Sequence, residues 1–146
     1  MANTYSLSTP STVTTSSAPA AEFRAGSSNR AVILEVGIFL GAATASTYGV
    51  GRPAAIGVTP TSPVLGLAED PADAAATAET AVAWGTAPTA PAHFFRHIAL
   101  PATVGAGVIW TWSEGQELIV PAAGSIVLWN VATNSASVYW YIKWRE

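Results

Sequence analysis

Val138-Tyr-Trp-Tyr-Ile-Lys-Trp144 is the last of four short runs that fill the block from Gly107 to Glu146. Before it come Gly107-Val-Ile-Trp-Thr-Trp112, Glu117-Leu-Ile-Val-Pro121 and Ser125-Ile-Val-Leu-Trp-Asn-Val131. Turn residues separate the runs: Ser113-Glu114-Gly115, Ala122-Ala123-Gly124 and Thr133-Asn134-Ser135. Aromatic and β-branched side chains fit a pleated surface, so the block reads as successive antiparallel strands. In the last run Val138, Trp140, Ile142 and Trp144 share one face, and Tyr139, Tyr141 and Lys143 share the other. Both faces carry large rings, so both are expected to be covered. One fills the core; the other makes a subunit contact or, on a rival reading, stacks on sugar rings. Five of the six tryptophans lie in this block, which is therefore expected to hold most of the core.

Upstream, Arg30-Ala-Val-Ile-Leu-Glu-Val-Gly-Ile-Phe-Leu40 has the same texture. Period two places Val32, Leu34, Val36, Ile38 and Leu40 on one face and Ile33, Glu35, Gly37 and Phe39 on the other. Helical periodicity fits loosely, but β-branching and the nearby glycines favour a strand. Glu35 is expected to be at least half-buried and paired with Arg30, Arg52 or Arg96. Shorter strands are expected at Ala21–Ala25 and Ala81–Trp84, with a turn at Gly26-Ser-Ser-Asn29. Gly49 and Gly51 precede Pro53 rather than a helix, so they mark a bulge or a close backbone approach and not a phosphate loop. His93 and His97 would reach one metal from a helix. Pro91 and Pro101 bracket them on a strand, where they stand about 13 Å apart and cannot share an ion.

Residues 59–80 are irregular, with Pro60, Pro63, Pro71 and the acids Glu69, Asp70, Asp73 and Glu79. A loop this long in a small domain is expected to be functional or an interface. Its acids lack the spacing of a calcium loop and read as a solvated face. Ala72–Ala83 has room for a turn or two of helix capped by Asp70. At the other end, residues 1–20 are rich in Ser, Thr, Ala and Pro. They bring few large apolar groups to offset ordering entropy. Tyr5, Leu7 and Val13 alternate with polar residues, a pattern suited to a flexible arm that adds a strand to a neighbour. The division is therefore an arm, 1–20, and a domain, 21–146. Eight or more strands with turns every 8–12 residues predict an all-β, antiparallel, jelly-roll-like sandwich; an Ig-like sandwich is the alternative.

Composition narrows the job. The 146 residues contain no cysteine, which excludes disulfides and thiolate metal sites. Charged residues make up 10% of the chain and hydrophobic ones 50%. Soluble domains typically carry about 25% charged residues, so part of this surface is expected to be covered in use. The net charge of −3 and the scattered basic residues give no stripe for phosphates, so no nucleic acid is expected as partner. No basic segment followed by an apolar run opens the chain, and the run Ala31–Ala43 is too short to span a bilayer, so no membrane partner is expected either. No nucleophile elbow or carboxylate pair stands out, so catalysis, metal and cofactor are not expected.

Three stretches then carry a resemblance. Ala42-Ala-Thr-Ala-Ser-Thr-Tyr-Gly-Val-Gly-Arg-Pro-Ala-Ala-Ile-Gly-Val-Thr-Pro60, Gly105-Ala-Gly-Val-Ile-Trp-Thr-Trp112 and Gly124-Ser-Ile-Val-Leu-Trp-Asn130 resemble stretches of small structural proteins of tailed bacteriophages. The chain is similar in style to head decoration (cement) proteins: short, cysteine-free, rich in Ala, Gly, Ser and Thr, with a terminal arm. The resemblance implies a homo-oligomer, a trimer or other ring, seated on the major capsid protein at the virion surface. On this reading Tyr5, Leu7, Val13, Tyr139, Tyr141 and Trp144 are the expected contact residues. The alternative is a carbohydrate-binding module or a tail or fibre component, with Trp110, Trp112, Trp140, Trp144 and the tyrosines offering rings.

Overall fold

The computed structural model describes residues 2–11, 15–132 and 137–146, so Val13 and the turn at 133–135 lie outside the described residues. Among the described residues fourteen strands run β1 (Thr4–Ser11), β2 (Ala18–Arg24), β3 (Ala31–Leu40), β4 (Ser46–Gly51), β5 (Val58–Pro60), β6 (Val64–Leu65), β7 (Leu67–Ala68), β8 (Glu79–Ala81), β9 (Trp84–Thr86), β10 (Phe94–Leu100), β11 (Gly107–Thr111), β12 (Leu118–Val120), β13 (Ser125–Asn130) and β14 (Val138–Arg145). One sheet is ordered β11-β3-β14-β1-β7, with β12 continuing β11 along β3. The other is β10-β4-β13-β2-β8-β6, and β5 and β9 form a separate two-stranded sheet. Every pairing is antiparallel.

The two sheets stack into a β-sandwich because each presents one apolar face. β14 shows this most simply: Val138, Trp140, Ile142 and Trp144 are buried while the residues between them are not. They meet Phe23, Tyr48, Val50, Ile126 and Leu128 of the opposite sheet in one core. The eight strands of five or more residues interleave as first, eighth, third and sixth in one sheet and second, seventh, fourth and fifth in the other. Consecutive long strands therefore cross between sheets at every step but β4 to β10. An Ig-like sandwich pairs its first two strands in one sheet and is ordered differently.

Three local expectations change. First, residues 4–11 are not a free arm. Between the sheet's own β14 and β7 they pair with β14 from Thr4↔Arg145 to Ser11↔Val138. Tyr5 and Leu7 alternate with polar residues because they face this chain's own core, where both are buried. The domain thus takes in residues 4–11, and Pro10 is tolerated because β7 reaches only Tyr5 and Ser6, leaving no neighbour to ask for its amide. Second, β3 does not alternate cleanly. Its register against β14 slips between Glu35 and Ile33, so Ile33 joins Val36, Ile38 and Leu40 on the inner face. Third, no helix forms over 72–83. Asp70 Oδ1 accepts from the Ala72 amide at 2.9 Å and its carbonyl from the Asp73 amide at 3.0 Å, a turn that ends without propagating. β8 and β9 follow in place of one strand at 81–84.

Parts of the segment 52–93, at Gly57, Trp84 and Pro91 to His93, lie over the outer face of the second sheet. Glu22, Val127 and Gly51 are neighbours on that face and all are buried. The Trp84 indole Nε1 donates to Glu22 Oε2 at 2.8 Å and the Gly57 amide to Oε1 at 3.1 Å. Pro91 and the His93 carbonyl press on Gly51 so closely that a β-carbon would collide with them. This is the close approach the glycine pair predicts.

Candidate interaction surfaces

Three parts of the exterior have a chemistry of their own. The first is the outer face of the β11-β3-β14-β1 sheet. Here rings lie on glycines: Tyr141 over Gly37, Tyr139 over Gly41 and Phe39 over Gly107, each close enough that a β-carbon at the glycine would strike the ring. Phe39 and Tyr141 stack with centroids 6.5 Å apart and planes 14° from parallel. Large rings opposite small residues fill the pleat without a second layer. Tyr139 remains 52% exposed, and Ile109 and Ile119 are exposed on neighbouring strands of the same sheet. The Tyr141 hydroxyl donates to Glu35 Oε1. Burial, then that hydrogen bond, then the carboxylate's charge push the phenol up to about 12. Glu35 is half-buried as expected, but its partner is a tyrosine rather than an arginine. Lys143, its register neighbour, pairs with Glu69 at 3.5 Å instead.

The second is one open side of the sandwich. β6 pairs with β8 in one sheet and β7 with β1 in the other, so residues 64–68 cross between the two edges and close them. Gly66 makes the crossing directly over the Trp144 ring, where any side chain would collide. The crossing points Leu65 and Leu67 outward, the latter 67% exposed. Glu69, Asp70 and Asp73 follow at once.

The third is the opposite open side, bounded by β10 and by β11 and β12. Arg52 Nη2 donates to the Ile119 carbonyl at 2.8 Å, spanning the two sheets, and its guanidinium lies 4.9 Å from the Phe95 ring centre. The Arg96 guanidinium lies 6.0 Å from the Trp112 ring and its Nη1 donates to the Phe95 carbonyl at 3.0 Å. A shallow cleft of about 290 Å³ beside them is lined by Arg52, Ala92, His93, Phe94 and Phe95. His97 sits 6.4 Å from Phe94, ring to ring, on strand β10.

The expected contact residues are thereby divided. Tyr139 and Tyr141 lie on an outer face. Tyr5, Leu7 and Trp144 are corrected: all three are core residues of this chain, and Trp144 is fully buried against Tyr5 and Phe23. Trp140 is buried too, so it and Trp144 offer no ring to a sugar. Trp110 and Trp112 are half-buried against the core. Two features escape the sequence. Nothing near Glu22 announces that residues 57 and 84 will cover it. The clustering of Arg52 with Arg96 needs β4 paired to β10, which no local pattern encodes. Among the described residues no three His, Asp or Glu side chains come together to hold a metal, and no helix is long and apolar enough to cross a membrane. No family model matches the chain, and no match to it was found among curated proteins or solved structures.

Proposed function

We propose that this chain is a non-enzymatic virion structural protein, a capsid decoration protein that seats on a phage head lattice and stiffens it. One observation carries the reading. The core is complete within one subunit, yet Leu65, Leu67, Ile109, Ile119 and Tyr139 stay outside on a chain with 10% charged residues. Surplus apolar surface of this kind marks a contact with other macromolecules. Bridging neighbouring capsomers would bury it only in the assembled shell, and any partner bound only by the folded state stabilises that state by mass action. The interleaved strand order supports a jelly roll, the two-sheet fold of two Greek keys. The resemblance of the three stretches quoted above supplies the phage setting, with the major capsid protein as partner.

The test mixes purified protein with expanded heads. Saturable co-sedimentation and a gain in head heat resistance are expected; neither effect, from a protein shown to be folded, contradicts the reading. A second reading has one observation in its favour: the rings of Phe39, Tyr139 and Tyr141 gather on one outer face, and exposed aromatic rings suit a pyranose face. A glycan array followed by fluorescence titration separates the two.

A further inference from the structure

We propose that copies of this chain join head to tail, the 64–73 side of one against the β10 side of the next. The inference rests on the building-block reading and names one partner, a second copy. The strand orders put these two sides at opposite ends of both sheets.

Their chemistry is complementary. One side presents Leu65 and Leu67 followed by Glu69, Asp70 and Asp73. Of these acids, Glu69 already has a partner in Lys143. The other side presents aromatic rings for the leucines and guanidinium groups for the carboxylates. Arg145 is paired to Glu117 at 2.9 Å, whereas Arg52 and Arg96 meet only rings and carbonyls among the described residues. Each keeps further N–H donors, since a guanidinium has five. A cation held on a ring face is already placed and partly desolvated, which favours a second, anionic partner. Among the described residues β10 also pairs on one side only, with β4, leaving its other backbone edge open.

The same charges disfavour two-fold pairing. Like sides brought together would oppose acid to acid or arginine to arginine, and like charges in register repel. A head-to-tail contact instead repeats, closing into a ring or extending as a filament according to the rotation per step.

Sedimentation velocity of the full chain tests this. Assembly beyond a dimer is expected, weakening roughly tenfold in affinity between about 0.05 M and 0.5 M salt as the charges are screened. Arg52→Gln/Arg96→Gln disables one side and Asp70→Asn/Asp73→Asn the other. Each variant alone should stay monomeric where the parent assembles, and an equimolar mixture should give one-to-one dimers and nothing larger, because each retains one intact side. Should the double arginine variant lose its near-ultraviolet circular dichroism, Arg96→Gln alone replaces it, and the salt dependence of the parent needs no variant. A parent that remains monomeric, a strict dimer, assembly indifferent to both variants, or a mixture that stays monomeric overturns the proposal. Head binding by a monomeric variant keeps the outcomes apart: retained binding with lost self-association leaves the decoration reading standing, and self-association without head binding removes that reading alone.

Discussion

The Trp144 indole stands edge-on against Phe23, centroids 4.9 Å apart and planes at 66°, and so joins the last strand of one sheet to the second strand of the other. Tyr5 stacks on the same indole at 5.8 Å, and Gly66 lies over its rim. Trp144→Ala or Phe23→Ala is expected to cost about 3–5 kcal/mol, since the cavity is walled by strands that cannot collapse. The double variant should cost less than the sum, by roughly 0.5–1.5 kcal/mol, because the edge-to-face contact is lost once. Denaturant unfolding of the four proteins measures the cycle.

The first strand is part of the same core. Trp140 Nε1 donates to Thr9 Oγ1 at 2.6 Å, while Trp144 Nε1, equally buried, has no partner among the described residues. Trp140→Phe should therefore cost about 1 kcal/mol more than Trp144→Phe, the difference being a lost hydrogen bond. Deleting residues 2–11 strips β1 from between β14 and β7 and should abolish cooperative unfolding. A dispensable arm would leave the melting transition unchanged.

How far the sequence is legible follows from which contacts are local. Alternation in β14 is read directly, because Val138, Trp140, Ile142 and Trp144 meet a single flat face. Alternation in β3 misleads, because one inserted residue near Leu34 reverses which side faces inward, and a bulge has no signature in hydrophobicity. The Ser- and Thr-rich composition of residues 4–11 looks disordered because their stability comes from β14, more than 120 residues later in the chain. The exterior suffers the same limit. Tyr139 is legible as an outer residue from its own strand, whereas Arg52 beside Phe95 exists only after β4 has paired with β10.

Glu22 gives a prediction of a different kind. It is fully buried on an outer face and both its oxygens accept hydrogen bonds, from Trp84 and Gly57. Glu22→Gln turns an amide N–H toward one of those donors and should cost about 2 kcal/mol. Gly57→Ala should destabilise as well, since its β-carbon would strike the Trp84 ring and the Glu22 carboxylate. Amide exchange is expected to accelerate first in the β5–β9 strand pair that they hold down.

Tyr141 predicts the alkaline behaviour. Its phenol is pushed up to about 12, above its ordinary 10.0, by burial first and then by Glu35. Between these values the unfolded chain has released a proton that the folded one retains. Stability from this group is therefore complete below pH 10 and lost as the pH rises through 12. Spectrophotometric titration should find a tyrosine ionising near 12, and Glu35→Gln should lower that value.

Side-chain labelling by hydroxyl radicals, with and without phage heads, tests most directly whether the exposed apolar residues are surfaces for assembly. In the free protein, kept dilute enough to be monomeric, Leu65, Leu67, Ile109 and Tyr139 are expected to be modified readily, and a subset of them to be shielded once heads are added at saturation, while the interior Trp144 stays unlabelled in both. Equal labelling of all four residues with heads present would contradict the account.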